Sequence, residues 1–173
     1  MSKINGMRPQ DIVVLLQLNC MQKENIIFAD IAVALKISPS EVSESIERSR
    51  RAGLVDSSKR KIMPQALYEF LIYGLKYVWP AIPGKKTRGV PTAHSAKPLS
   101  SCIVSSEDVY VWPYAKGTLR GEGIQPLYHT VPQIAESNPL LYQMLALIDA
   151  IRIGKAREVK IAREELQKRL NVK

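Results

Sequence analysis

Residues 28–55 restrict the fold of this chain more than any other segment, because their apolar spacing and turn residues define two short helices. The apolar residues of the first helix recur at i, i+3, i+4 and i+7, which places them on one helical face. They are Phe28, Ile31, Ala32 and Leu35. Lys36 and Ile37 follow as a turn, with Ile37 expected to pack into the core. The pattern therefore predicts a short amphipathic helix that ends at a tight turn.

Ser38 begins a second helix with a complete set of N-terminal signals. Pro39 occupies the first helical position, where its missing N–H costs nothing. Glu41 stands three residues after Ser38, which predicts a capping box in which the two residues satisfy each other's backbone N–H groups. Val42 and Ile46 mark the buried face of this helix. Two short helices joined by a tight turn predict a helix-turn-helix, whose second helix enters the major groove of DNA.

A basic loop follows the second helix. Residues 54–55 and 61–63 are predicted to be short strands on either side of the loop at 56–60. This arrangement is typical of the wing of a winged helix, whose basic tip lies along the phosphate backbone. The predicted DNA contacts are Ser38, Ser40, Ser43, Glu44, Arg48 and Arg51 on the helix, and Ser58, Lys59, Arg60 and Lys61 on the wing.

Three carboxylates on the second helix count against DNA binding. Phosphates would repel Glu41, Glu44 and Glu47, although a glutamate also accepts a hydrogen bond from N4 of cytosine. Winged helices also serve as protein-interaction modules, since a fold does not determine a function. Both interpretations of this helix stay open at this point.

Positive charge is concentrated outside the helix-turn-helix. The chain has a net charge of +9, and residues 71–100 carry 5 basic and no acidic side chains. Such an excess favours a polyanionic partner and predicts a contact surface larger than one helix. Lys85, Lys86 and Arg88 are therefore predicted to be further DNA contacts, because this stretch offers them no acidic partner.

The middle segment contains the tetrapeptide Tyr-Val-Trp-Pro twice, at 77–80 and 110–113. Each copy is followed by a Gly and then by Arg-Gly, which indicates an internal duplication of a short strand and loop. In one interpretation the two loops present Arg88 and Arg120 to phosphates, with aromatic side chains available for stacking on bases. In the other, Trp79 and Trp112 belong to the core, and this is favoured because large aromatic side chains dominate cores.

Further helices are predicted at both ends of the chain. Residues 12–21 are apolar almost all round, as expected for a buried helix. Asn138 and Pro139 form a cap and first turn, after which Leu141, Leu145, Ile148 and Ile151 continue an apolar face. The narrow apolar stripe of residues 159–170 is typical of a packing edge or of a dimer seam, and we expect a homodimer.

Catalytic and cofactor motifs are not evident in the sequence. His94 and His129 have no cysteine or carboxylate at metal-ligand spacing, and no nucleophile motif is present, so an enzyme, a metal site and a cofactor are not expected. Cys20 and Cys102 are expected to pack as small apolar side chains. No apolar run approaches the length of a membrane span and no signal peptide is recognisable, which favours a cytoplasmic protein.

The sequence as a whole predicts a mostly helical α+β fold. We divide it into a winged helix-turn-helix at 1–75, a Pro/Gly-rich segment with two similar strand-loop units at 76–131, and C-terminal helices at 132–173. Residues 8–75 resemble the winged helix-turn-helix domains of MarR-like bacterial regulators, through the pattern ADIA…L.IS.SEVS…R…AGLV. Together with RPQD at 8–11 and YGLKYVWPA…RGVPTA at 73–93, the chain is similar to a bacterial family of predicted winged-helix DNA-binding proteins.

The MarR resemblance implies sequence-specific binding of double-stranded DNA by a dimer, with Ser38, Ser40, Ser43 and the basic wing as contacts. The leading hypothesis is therefore a homodimeric transcriptional repressor. A second hypothesis is a protein-interaction module, such as an antitoxin or an accessory subunit of a defence system. A third is single-stranded nucleic-acid binding by the arginine-containing loops.

Overall fold

The computed structural model describes residues 6–21, 27–103 and 108–172 and has a mostly helical α+β fold, as predicted. The helices before the sheet are α1 (Pro9–Met21), α2 (Phe28–Leu35), α3 (Pro39–Arg51), α4 (Pro64–Glu69) and α5 (Leu75–Val78). The strands are β1 (Lys86–Pro91), β2 (Tyr110–Pro113) and β3 (Leu119–Gly123). The helices after the sheet are α6 (Val131–Ile134), α7 (Pro139–Ile153) and α8 (Ala156–Arg169).

The first three helices form as their sequence predicts. α1 packs against α2, α3 and α7, which explains why it is apolar almost all round. α2 buries Ile31, Ala32 and Leu35 and ends at Lys36, whose φ of 55° closes the turn into α3. The capping box is confirmed: Ser38 Oγ accepts from the Glu41 amide at 3.2 Å, and the Ser38 amide donates to Glu41 Oε2 at 3.1 Å.

The loop after α3 has less sheet than predicted. In place of two strands there is one antiparallel bridge, between Val55 and Ile62. The Met63 amide donates to the Leu54 carbonyl at 2.8 Å, which keeps the two sides of the loop together. The loop at 56–61 therefore projects beside α3 without regular strands, and we call it the wing loop.

The helix that begins at Pro64 extends into the first Tyr-Val-Trp-Pro copy. A π-helical turn at Phe70–Gly74 joins α4 to α5, so the helical path continues to Val78. Tyr77 and Val78 are consequently helical, and the prediction of a strand here is wrong. Trp79 is half-buried and packs edge-on against Phe70, with the ring centroids 6.0 Å apart.

The three strands close on themselves into a small sheet. β1 pairs antiparallel with both β2 and β3, and β2 pairs parallel with β3. The closure requires glycine at the tightest points: a Cβ at Gly89 would lie 2.1 Å from the Trp112 carbonyl oxygen, and one at Gly121 2.3 Å from the Val109 carbonyl oxygen. The register places Arg88 opposite Arg120.

The predicted duplication of a strand-loop unit is therefore wrong. The first Tyr-Val-Trp-Pro copy is the end of a helix, whereas the second copy is β2. Trp112 is 1% exposed and belongs to the core, as favoured for it from the sequence. Its indole N–H donates to Asp149 Oδ2 at 2.6 Å, so the buried polar atom of the ring is satisfied.

The C-terminal helices complete one continuous core. Asn138 caps α7 as predicted, with its Oδ1 accepting from the Leu141 amide at 3.3 Å. α7 packs against α1, α5 and α8. The apolar stripe of α8 is buried within the chain at Ala162, Leu166 and Leu170. Within the described residues, no helix combines the length and apolar character that crossing a lipid bilayer requires.

A buried polar cluster on α7 joins the sheet to the helices. Asp149 accepts from Thr92 Oγ1 at 2.8 Å and pairs with Arg152 at 2.7 Å. Arg152 Nε also donates to the Trp79 carbonyl oxygen at 2.9 Å, which ties the end of the helical path to α7. Burial raises the pKa of Asp149, while Arg152 and the hydrogen bonds oppose that shift.

Candidate nucleic-acid interface

The outward face of α3 is polar and exposed. Val42, Ser45, Ile46 and Ser49 point into the domain, which turns the opposite side of the helix to solvent. The exposed residues of that side are Ser40, Ser43, Glu44 and Arg51. Ser38 is also exposed, but its hydroxyl is engaged in the cap. The N-terminal half of α3 therefore exposes the hydroxyls of Ser40 and Ser43 and the carboxylate of Glu44, with the Ser40 hydroxyl 3.0 Å from that of Ser38.

Arg48 corrects the sequence prediction. Its side chain is 3% exposed and forms a two-pronged ion pair with the fully buried Asp11 of α1, at 2.7 and 2.9 Å. This guanidinium holds α3 to α1 and is not presented to a groove. Hydrogen bonding to Asp11 raises the pKa of Arg48, with burial acting in the opposite direction.

The same Arg48 guanidinium orients the carboxylate of Glu44. Arg48 Nη1 lies 3.6 Å from Glu44 Oε2, while the Glu44 side chain remains 68% exposed. The buried guanidinium of Arg48 therefore lies one helical turn from the exposed carboxylate of Glu44, on its inner side. This arrangement leaves acceptor positions of Glu44 directed outward.

Glu47 connects α3 to the wing loop. It accepts from Arg50 Nη2 at 2.8 Å and from Arg51 Nε at 3.0 Å, and it pairs with Lys59 Nζ at 3.0 Å. Hydrogen bonds from Arg50 and then Lys59 hold the pKa of Glu47 far below its ordinary range. One carboxylate is thus surrounded by three cations, and the local balance at the C-terminal half of α3 is positive.

Asp56 organises the wing loop. Its carboxylate accepts from Ser58 Oγ at 2.7 Å and from the amides of Arg60 and Lys61 at 3.2 and 3.1 Å. Lys59 adopts a left-handed conformation at the tip, with a φ of 62°. Arg60 and Lys61 are exposed, whereas the Ser58 hydroxyl is occupied by Asp56.

The third carboxylate of α3, Glu41, faces the middle of the chain. Besides its role in the cap, it accepts from the Tyr128 hydroxyl at 3.5 Å. Hydrogen bonds from Ser38 lower the pKa of Glu41. Of the three carboxylates on α3 that weighed against DNA binding, two are therefore already engaged by several donors, and Glu44 is the most available.

A shallow cleft of about 450 Å³ separates the outer face of α3 from the wing loop. Its lining residues are Ser43, Glu44, Glu47, Arg48, Arg51 and Lys59. The structure thus brings most of the predicted helix contacts and one wing contact around the same depression. The cleft is wide and polar, which suits an extended polar surface better than a small apolar ligand.

The basic residues of the middle segment form a separate set. Lys85, Lys86 and Arg88 are exposed at the start of the sheet. Among the described residues, no hydrogen bond or ion pair links them to α3 or to the wing loop. The sheet nevertheless belongs to the same core as α3.

Several residues of this interface were missed by the sequence prediction. Arg50 and the ion-pairing role of Glu47 were not anticipated, although Arg50 and Arg51 lie at i+3 and i+4 from Glu47. Asp11 was overlooked, but a carboxylate in an otherwise apolar helix signals a buried cationic partner. Cys20 is partly buried as expected, whereas Cys102 is exposed.

Within the described part of the chain, no group of three or more His, Cys, Asp or Glu side chains is placed to hold a metal ion. Comparison of the chain with family models, with curated proteins and with solved structures gave no match.

Proposed function

We propose that the protein is a winged helix-turn-helix that binds specific sequences of double-stranded DNA and acts as a homodimeric transcriptional repressor. α3 is the recognition helix in this proposal, and the wing loop lies along the adjacent phosphates. The proposal depends above all on the Glu47 network, because that network holds the wing loop against α3 and leaves the shared surface cationic.

Base contacts are assigned to the N-terminal half of α3. Ser40 and Ser43 can donate to or accept from base edges, and Glu44 can accept from N4 of cytosine. The Asp11–Arg48 pair fixes the backbone behind Glu44, so the carboxylate meets DNA in a defined position. We therefore expect a cytosine in the site, opposite Glu44.

Phosphate contacts are assigned to the cations around the cleft. Arg51 is 61% exposed although it pairs with Glu47, and Lys59 is 46% exposed. Arg60 and Lys61 extend the same surface along the wing loop. These contacts supply affinity that depends on salt and not on sequence.

Binding is tested by fluorescence anisotropy with duplexes from the region upstream of the protein's own coding sequence. We expect binding at low salt and a preferred site after selection from random duplexes. Glu44→Gln should change the preferred base at one position, whereas Lys61→Gln should weaken all duplexes equally. Glu164→Gln and Lys160→Gln, which change exposed residues of α8, are the matched controls. The proposal fails if no duplex binds at low salt.

The dimer is part of the proposal because a two-fold protein binds a palindromic site. Ala162, Leu166 and Leu170 of α8 are covered within the chain, so that stripe does not provide the seam. Light scattering on the free protein and on its DNA complex would measure the stoichiometry. Half-sites about 34 Å apart, one turn of duplex, are expected.

Exposed apolar side chains favour the second candidate, a protein-interaction module such as an antitoxin or an accessory subunit. Tyr73 is 64% exposed, Tyr77 74% and Ile82 79%. Trp112 is buried and cannot make such a contact directly. If this candidate is correct, Tyr77→Ser combined with Ile82→Ser abolishes copurification with the product of a neighbouring gene and leaves the melting temperature unchanged.

The third hypothesis, single-stranded nucleic-acid binding, loses part of its basis. Stacking on bases needs exposed aromatic faces, and Trp112 is 1% exposed. A single-stranded competitor in the anisotropy experiment would test what remains of it.

A further inference from the structure

Two arginines face each other across the closed sheet. Arg88 on β1 and Arg120 on β3 are directly paired in the antiparallel register, and both are exposed. Residues directly opposite in an antiparallel pair lie on the same face, with Cβ atoms about 4.5–5.5 Å apart. The two side chains therefore leave the sheet side by side.

The neighbouring cross-strand pair combines opposite charges, whereas the Arg88–Arg120 pair combines two positive charges. Lys86 lies opposite Glu122 on the same ladder, so a cation faces a carboxylate there. Among the described residues, neither Arg88 nor Arg120 forms an ion pair with an acidic side chain.

Like charges directly opposite each other destabilise a sheet. Gly89 and Gly121 stand next to the arginines and are in close backbone contact with neighbouring segments, which fixes the backbone from which the two arginines extend. The fold thus places two arginine side chains next to each other on an open surface. Such a pair fits an anion with several oxygens, since each guanidinium presents a planar fork of donors.

We propose that Arg88 and Arg120 form a phosphate clamp on the phosphodiester backbone of the DNA duplex. The proposal rests on the proposed function and adds a second contact to it. A polyanion is favoured over a small anion because both arginines are exposed on an open surface. Sequence readout is not expected from this clamp, since phosphates carry no base identity.

The test is the salt dependence of duplex binding by the double variant Arg88→Gln/Arg120→Gln. We expect the affinity at 0.15 M salt to fall about tenfold and the slope of log K against log salt to become shallower by about 1 to 2. The preferred sequence should stay the same. The melting temperature should not fall, because the substitutions remove a repulsion, and this separates loss of contact from loss of fold.

Lys160→Gln is the matched control, since Lys160 is an exposed residue of α8 that takes no part in either proposed contact. Its effect on the affinity should be under about threefold. An unchanged slope in the double variant, with intact sequence-specific binding by the parent protein, would overturn the clamp and leave the proposed function standing. Conversely, a parent protein that binds duplexes without preference, and loses that binding in the double variant, would support the clamp while refuting sequence-specific recognition by α3.

Three further outcomes would also overturn the clamp. One is the absence of any duplex binding by the parent protein. Another is a loss of affinity in the double variant for single strands but not for duplexes. The third is saturable binding of inorganic phosphate at the arginine pair, followed by NMR, with no change in duplex affinity in the double variant.

Discussion

The surface around α3 and the closed sheet are both basic, but they are built in opposite ways. Around α3, side chains hold the surface together: Glu47 binds three cations, and Asp11 binds Arg48 in the interior. In the sheet, close backbone contacts at Gly89 and Gly121 hold the surface together. The sheet pairs Arg88 directly with Arg120, with no carboxylate between them.

This difference shows how one small protein can separate discrimination between DNA sequences from affinity for DNA. The ion pairs around α3 hold the helix and the wing loop in fixed positions, which gives the proposed base contacts of Ser40, Ser43 and Glu44 defined places and suits discrimination between sequences. Cations held without counterions attract any polyanion, which suits affinity. If this division is correct, each surface should respond to its own kind of substitution.

The largest effect is expected from Asp11→Ala, which leaves Arg48 charged and buried without its partner. Loss of one member of a buried ion pair costs about 3–5 kcal/mol of unfolding free energy. Chemical denaturation would measure it. Addition of Arg48→Met should restore part of the loss, because a buried pair replaced by apolar side chains is often neutral. A double variant as unstable as Asp11→Ala would show that the side chains matter for more than their charges.

Gly121→Ala should break the sheet in a way that no charge substitution can. Its Cβ would lie 2.3 Å from the Val109 carbonyl oxygen, so backbone must move, at a cost of about 1–3 kcal/mol or more. Gly84→Ala is the control, since the nearest atom to its Cβ is the Gly123 carbonyl oxygen at 3.4 Å, an ordinary contact. Equal melting temperatures for the two variants would contradict the backbone argument.

Ser38→Ala should have an intermediate effect, confined to α3. Loss of the N-cap hydroxyl leaves the Glu41 amide without its acceptor and costs about 1 kcal/mol. Thermal unfolding would measure the change, with Ser100→Ala as a control, a serine with an exposed side chain away from α3. A loss of DNA affinity much larger than the loss of stability would indicate that the hydroxyl also contacts DNA.

The smallest effect on stability is expected at Glu47, because its ion pairs are at the surface. The pKa of Glu47 is lowered by Arg50 first and then Lys59, from an ordinary value of 4.5. Its contribution is therefore fully present above pH 4.5 and is lost as the pH falls through the lower folded pKa. NMR of the wing loop should detect the release of Lys59 in acid, and Glu47→Gln should produce the same release at neutral pH. A wing loop whose signals are unchanged in Glu47→Gln would show that Asp56 alone keeps it in place.

Features that depend on neighbours in sequence were the ones that could be predicted. The capping box of Ser38 and Glu41, the Asn138 cap and the apolar face of α2 all follow from spacings of three or four residues. The Tyr-Val-Trp-Pro copies show the limit of such reasoning. The same four residues end a helix at 77–80 and form a strand at 110–113, because only the second copy has β1 and β3 to pair with.

The candidate site was predictable to a similar extent. Ser40, Ser43 and Glu44 are exposed on α3, as helical periodicity predicts. Arg48 follows Glu44 by one turn and was expected on the same outward face, yet a partner 37 positions earlier in the chain draws it inward. The cross-strand register of Arg88 and Arg120 likewise depends on chain closure, which no local pattern in the sequence specifies.

The packing of α1 has a consequence for any attempt to transfer α2 and the proposed recognition helix α3 into another protein. α1 is covered on different sides by α2, α3 and α7, so the first helices lack a complete interior of their own. Removal of the last forty residues would expose an apolar helix to water, and the remaining fragment would aggregate. The protein is therefore a poor donor of α2 and α3 for chimeric proteins, and substitutions that test the proposed specificity have to be made within the whole chain.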